Sequence, residues 1–264
     1  MEDVFVESLV STMDENVESL SNNMNLENNA IFINQQDQHY YNDFFIGDNH
    51  IREYSFEERG VGLSRNSALM RSDADICMMA DDDMVYVDNY LEKVKNEYKK
   101  HPDADMIIFN VRIHKENNTY EVVRKNSKVN YLNSLKYGTV SFTFRREKVV
   151  KNNIYFSLLF GGGAKFSNGE DSIFLWDCLK SGLKVYSSTE IIADVYNDES
   201  SWFTGYNEKF FIDRGALFDA LSSNFSLLLI YQYAFRKQKE YSDDLSVKKA
   251  IKLMKKGRKL YRGI

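Results

Sequence analysis

Between residues 4 and 113 the chain alternates short apolar runs with stretches of helical spacing. VFVESLV (4–10), AIFI (30–33), IREYSF (51–56), DICMMA (75–80) and DMIIFNVRI (105–113) read as strands. A polar stretch over 14–26, LSRNSALMRS (63–72) and VDNYLEKVKNEYKK (87–100) read as helices between them. Asp88 stands where the last of these needs an N-cap, and HPDAD, with the sole proline at 102, closes it. This order predicts an α/β fold: a mostly parallel central sheet with helices on both faces. In such sheets ligands bind beyond the carboxyl ends of the strands.

The second half is less regular. TYEVV (119–123) and TVSFTF (139–144) suit strands, and LLFGGGAKFSNGED (158–171) is a glycine-rich loop. SIFLWDCLKSG (172–182) suits a helix closed by Gly182, and LKVYS and EIIADVY within 183–196 suit two further strands. From about residue 207 the pattern is helical to the end. The helices there pack on the sheet or form a small subdomain.

Composition sets limits. The net charge of −5 disfavours general nucleic-acid binding. The 18 Phe and 17 Tyr are mostly core and surface, although the surplus also permits a groove lining or a homo-oligomer. Cys77 and Cys178 sit in apolar settings without partners at metal-ligand spacing, which suits two buried thiols in a reducing compartment. MEDVFVESLV is acidic and shows no basic leader, so a cytoplasmic protein is expected. The most apolar run, FSLLLIYQYAF (225–235), is shorter than the about 20 residues a bilayer span needs.

Immediately after DICMMA come Asp81, Asp82 and Asp83. Adjacent carboxylates raise each other's proton affinity unless solvent or a cation neutralises them. In extended backbone Asp81 and Asp83 face one way and form a hard oxygen pair for Mg²⁺ or Mn²⁺, with a substrate diphosphate supplying further ligands. A solvated acidic turn or a helix cap explains the run equally simply. An EF-hand lacks its central glycine and distal glutamate, and the four histidines do not cluster for zinc.

Upstream, ERGVGLSRNSALMRSDAD (58–75) puts Gly60 and Gly62 before a helix whose first amides can face an anion. Arg65, in its first turns, suits a phosphate or one of the aspartates. No GK[ST] ending makes this a Walker loop. Downstream, GGGAKFSNGED (161–171) ends in Glu170 and Asp171 at a helix start, where the helix dipole favours acids. That accounts for the acids better than for three consecutive glycines, which lose much backbone entropy on folding.

Taken as a set, Ser11-Thr12 after the first strand, Asn34-Gln35 after the second, RGVGLSRNSAL, SDADICMMADDDM and FGGGAKFSNGEDSIF resemble the inverting glycosyltransferases of family 2. The resemblance spans about residues 4–185 and implies a GT-A fold, Rossmann-like, with a C-terminal helical extension. It implies a nucleotide-binding half over about 1–113, an acceptor half over about 114–200, and an extension over 201–264. It also implies a hexosyltransferase of the bacterial surface-polysaccharide type, taking a nucleotide-diphosphate sugar, usually UDP-linked, to a saccharide or lipid-linked saccharide. By that resemblance Ser11, Thr12, Asn34, Gln35, Arg65, Asp81 and Asp82 hold the nucleotide sugar, with Asp37 a substitute near the base and Glu53 a further acid. Asp83 and Asp81 hold Mn²⁺ or Mg²⁺. Glu170 and Asp171 form the catalytic pair with Asp171 as base, and Gly162, Gly163 and Trp202 border the acceptor. Core packing is the simpler role for Trp202, Phe203 and Tyr206.

VKKAIKLMKKGRKLYRGI (247–264) places Ala250, Ile251, Met254 and Gly257 on one side of a helix whose remainder is mostly cationic. Such a helix suits either an anionic membrane, on the inner face of the plasma membrane, or plain solvent. Two other functions fit parts of the pattern. A sugar nucleotidyltransferase shares the paired acids and metal, but STMDENVES after the first strand lacks its glycine-rich basic signature. A non-catalytic carbohydrate- or nucleotide-binding relative would not need both acidic clusters.

Overall fold

The computed structural model describes residues 4–115, 118–196 and 205–264. In chain order the elements are β1 (Val6–Met13), α1 (Val17–Asn23), β2 (Asn29–Gln35), β3 (Tyr40–Ile46), β4 (Asn49–Phe56) and α2 (Val61–Arg71). Next come β5 (Ile76–Asp81), β6 (Met84–Tyr86), α3 (Tyr90–Lys100), β7 (Met106–Lys115), β8 (Asn118–Glu121) and β9 (Ser127–Lys128). Then β10 (Phe142–Arg145), α4 (Arg146–Lys151), α5 (Glu170–Lys180) and β11 (Val185–Tyr196) complete the sheet. Helices α6 (Glu208–Leu221), α7 (Ser226–Arg236), α8 (Gln238–Tyr241) and α9 (Val247–Arg262) follow.

The described residues form an eleven-stranded sheet in the order β3-β4-β2-β1-β5-β10-β7-β11-β6, with β8 on β7 and β9 on β11. The β4-β2-β1-β5 block and the β7-β11 pair are parallel, while β10 lies antiparallel between β5 and β7. Alternate residues go to opposite faces. Leu9, Cys77, Met79 and Ile108 pack with Leu69 of α2 and Phe174 of α5. Val10, Met78, Ile107 and Phe109 pack with Leu20 of α1 and Val94 of α3. Covered on both faces, the central strands are mostly apolar, with buried polar residues such as Glu7, Ser8, Asn110 and Thr143 among them.

A third apolar cluster joins Phe160, Phe166, Ile173 and Trp176 to Phe211, Leu217, Tyr241 and Met254 of the C-terminal helices. There α6 and α9 touch backbone to backbone. A Cβ on Gly215 would lie 1.9 Å from the Met254 carbonyl oxygen, and one on Gly257 would lie 1.8 Å from that of Ile212. The two glycines are what lets the helices approach so closely.

Several elements depart from the sequence expectation. The polar edge strand β3 pairs antiparallel with β4 and had no counterpart in the apolar pattern. Residues 139–141 form a 3-10 turn, so that strand begins only at Phe142. The two strands expected in 183–196 are one, with register shifts beside Ile191. Asp88 is not the cap of α3: that position is Asn89, in left-handed backbone with φ 59°, and Asp88 accepts a bond from Asn25 Nδ2 at 3.2 Å. Gly182 does follow the α5 cap with φ 78°.

Candidate active site

The sheet register assembles the first half of the site. Parallel pairing sets Ser11 of β1 opposite Asp81 of β5, and Thr12 and Met13 opposite Asn34 and Gln35 of β2. All lie at carboxyl ends of strands. Thr12 Oγ1 donates to Asp82 Oδ2 at 2.7 Å. Ser64 of α2 donates to Ser11 Oγ at 2.9 Å. Gln35 clamps Gly60, accepting from its amide and donating to its carbonyl, each at 3.2 Å, and so fixes where α2 starts. Asn66 makes a reciprocal pair with the Phe156 backbone, 2.8 Å in each direction, tying α2 to the stretch just before the glycine-rich loop.

Asp81 ends β5, and Asp82 and Asp83 form a tight turn into β6. The three acids are therefore not one extended stretch, and strand alternation does not set their directions. Tyr196 donates its amide to the Asp83 carbonyl oxygen at 3.0 Å, binding the turn to the end of β11.

Arg65 joins the two acidic clusters. It is 4% exposed. Its Nη2 donates to both oxygens of Asp81, at 2.9 and 3.0 Å, and its Nη1 donates to Glu170 Oε1 at 2.8 Å. Burial disfavours the charged guanidinium, but Asp81 and Glu170 together hold its proton more tightly than usual. Its Nε is buried with no hydrogen-bond partner among the described residues. Asp81 and Glu170 thus share one guanidinium, and Asp82, Asp83 and Asp171 follow them directly in the chain, a local surplus of negative charge. Asp171 shows the consequence. Burial, then the charge of Glu170, pushes its carboxyl up to about 6. The Ser172 amide, 2.5 Å from Oδ1, and Arg65 pull the other way. Burial first, then Asp81, also raises Asp82, against the bond from Thr12.

The glycine run forms the seam between α2 and α5. Gly161 (φ 106°) faces Val61 and the Glu170 carboxyl, which an added Cβ would meet at 2.7 and 2.9 Å. Gly163 (φ 79°) lies against Gly60, while Gly162 has open space and accepts from the Val61 amide at 3.0 Å. Left-handed backbone and close approach together explain two of the three glycines. Gly169 at the α5 start is pressed on Leu217 of α6, and a Cβ there would be 2.7 Å from Cδ1.

Not every sequence candidate joins this centre. Asn34 is fully buried and bonds to Glu53 Oε1 (3.1 Å) and the Glu15 carbonyl (2.8 Å). Glu53 also accepts from Tyr40 at 2.5 Å, beside a cavity of about 340 Å³ lined by Asn16, Glu18, Tyr40, Asn42 and Glu53 among others. Asp37 lies on the surface, paired with Arg59 at 3.3 Å. Trp202 and Phe203 lie outside the described residues. Tyr206 packs on Phe210, Phe211 and Tyr241, in keeping with a core role. Ser64, Asn66 and Tyr40 make contacts that no apolar pattern or motif signals. The spacing of Ser64 and Asn66 around Arg65 was the available cue.

Among the described residues no group of three or more His, Cys, Asp or Glu side chains is arranged to hold a metal ion. Mg²⁺ beside phosphates is usually held by one or two carboxylates, with substrate oxygens completing the shell. The aspartates of the β5–β6 turn are donors of that kind.

The family model described as "Glycosyl transferase family 2" matches residues 6–163. The chain belongs to glycosyl transferase family 2. As a family 2 glycosyltransferase it is an enzyme that acts on a nucleotide-sugar donor. No curated protein sequence matches it. Among solved structures, S. aureus TarS residues 1–349 in complex with UDP-GlcNAc is similar with TM-score 0.65 and 13% identity, covering 92% of this chain and 77% of that one. The same TarS fragment without a named ligand gives TM-score 0.57 at 11% identity, covering 97% and 92%. These likenesses establish the shared fold, a mixed sheet with a mostly parallel core, flanking helices and a helical C-terminal extension. The family 2 match ends before Glu170, so the family assignment itself does not reach the second acidic cluster.

Proposed function

We propose that this glycosyltransferase moves a sugar from a UDP-linked donor to a hydroxyl of a saccharide acceptor, with inversion at the anomeric carbon and Asp171 as the base. One observation carries the reading: Arg65 bonds Asp81 and Glu170 at once, so two acidic clusters far apart in sequence meet at one guanidinium. Thr12, Arg65, Asp81 and Asp82 line the nucleotide side, with Ser11, Asn34 and Gln35 behind them holding strand ends and α2 in place. TarS, which shares the fold, has been solved with UDP and with UDP-GlcNAc, which makes UDP sugars the first donors to test.

Asp83 and Asp81 would hold Mn²⁺ or Mg²⁺ together with the donor diphosphate, supplying positive charge where the leaving group becomes more negative. The protein's own groups do the rest. Arg65 steadies the acids that face the donor. Asp171, on the first turn of α5, takes the proton from the attacking hydroxyl; its raised pKa suits a base working near neutral pH. One base and one displacement invert the configuration. Gly162 and Gly163 border the acceptor side, with open space beside Gly162. The catalytic unit is assigned to residues 1–200, with 201–264 as extension.

The test pairs a donor screen with one substitution. Nucleotide release is measured with a panel of nucleotide sugars and Mn²⁺, and Asp171→Asn is then assayed for transfer and for UDP binding. Normal transfer by Asp171→Asn would remove the base assignment.

A further inference from the structure

Most of the apolar face of α9 is already covered within the protein. Ala250, Leu253, Met254 and Gly257 are buried, the glycine directly against α6. The amphipathic pattern of residues 247–264 is therefore largely satisfied inside the protein.

An apolar face does remain on α7. Ser226, Ile230, Tyr233 and Ala234 are buried. On the other side, Leu228 is 64% exposed, Tyr231 40% and Phe235 63%, with Phe225 at the cap 63%. Residues 228, 231 and 235 are spaced by three and four, so they form one ridge along the helix. Single exposed apolar residues are ordinary, but a contiguous ridge marks a contact surface.

The ridge is bordered by positive charge. Lys255 Nζ bonds Tyr231 Oη at 2.8 Å and sits 4.9 Å from its ring centre, so α9 runs directly beside it. Lys248, Lys252, Lys255 and Lys259 follow one another at intervals of four, three and four, a single row on α9, and all are exposed. Arg236 and Lys239 add charge at the far end. Nearby acids are fewer: Asp243 and Asp244 precede α9, and Glu240 is bonded to Lys237 and Tyr206. Other cations of α9 are neutralised within the fold, Lys249 by Glu208 and Arg258 and Arg262 by Asp219.

We propose that the α7 ridge and the α9 lysine row together form a docking surface for an anionic lipid bilayer, with Phe225, Leu228, Tyr231 and Phe235 entering the headgroup–acyl boundary. Apolar residues beside a lysine row match the two components of such a surface, apolar area and negative headgroups. A second copy of this chain fits less well, because a two-fold contact across the ridge would bring the lysine rows towards each other. The attachment is peripheral: among the described residues no helix is long and apolar enough to cross a membrane. This surface is independent of the transfer chemistry, and its test needs no turnover.

The test is flotation of the full chain with phosphatidylcholine vesicles, with and without phosphatidylglycerol. The wild type should float with the anionic vesicles and not with the neutral ones, less so as salt rises. Leu228→Ser/Phe235→Ser and Lys252→Ala/Lys255→Ala/Lys259→Ala should each lower partitioning by about tenfold or more. Unchanged melting midpoints show that both variants remain folded, and sedimentation velocity gives the oligomeric state. Absence of wild-type flotation, equal flotation of folded variants, or a dimer that the ridge variant splits would each overturn the proposal.

Discussion

Two acid–arginine clusters in this protein have opposite charge balance. At the strand ends, Arg65 bonds Asp81 and Glu170, with Asp82, Asp83 and Asp171 adjoining. Between α6 and α9, Asp219 alone receives both Arg258 and Arg262. The second cluster is well satisfied and ties two helices together. The first carries surplus negative charge, a condition that suits a site awaiting a cation or a positively polarised substrate. The aspartates record the contrast. Asp171 is raised, chiefly by burial and then by Glu170. Burial works against Asp219 too, but the Arg262 hydrogen bond and its other partners bring its carboxyl below the ordinary value.

The sharpest way to break this comparison is Asp171→Asn. Transfer should fall by about 10²- to 10⁴-fold, measured as sugar incorporated, while UDP affinity by calorimetry stays put. Next, Arg65→Met strands Asp81 and Glu170 without their shared cation. Unfolding in urea should show a loss of about 3–5 kcal/mol, relieved at low pH where the acids protonate. Arg262→Met leaves Arg258 on Asp219 and should lose about 1–2 kcal/mol in the same assay. A loss as large as that of Arg65→Met would contradict the contrast.

The pH dependence sharpens it further. As the proposed base, Asp171 must be ionised, so kcat should fall as pH drops through about 6. For stability the two signs differ. Asp171 has a folded pKa above its ordinary 3.8, so its contribution is complete below 3.8 and lost as pH rises through about 6. Asp219 has a folded pKa below its ordinary value, so its contribution is present above that value and lost as pH falls through the folded one. Stability of Asp171→Asn and Asp219→Asn against pH should therefore diverge from the wild type in opposite directions. The smallest effect belongs to Lys249→Ala, which removes an exposed pair with Glu208 and should change stability by about 0.5 kcal/mol or less.

Much of this arrangement was readable beforehand where signals are local. The apolar runs marked β1, β2, β5 and β7, because strands covered on both faces carry mostly apolar residues. Arg65 between glycines and acids was visible as a candidate. Its simultaneous hold on Asp81 and Glu170 was not, since residues 105 apart meet only through the sheet and α5. β3 was missed because YYNDFFI is mostly exposed and carries no buried alternation; the pairing of Ile46 with Asn49 across Gly47-Asp48 was a hairpin cue that stood unused. The amphipathic tail was legible, and most of its apolar residues pack within the protein. A sequence shows that a face is apolar without showing what covers it.

The contact of Gly169 with Leu217 has a mechanical consequence. The turn that launches the proposed proton acceptor leans on a helix further along the chain, so the terminal helices act as a buttress rather than ballast. Damage confined to α6 should therefore misaim Asp171 while the strand-end residues still grip a nucleotide, separating turnover from occupancy in an otherwise folded protein.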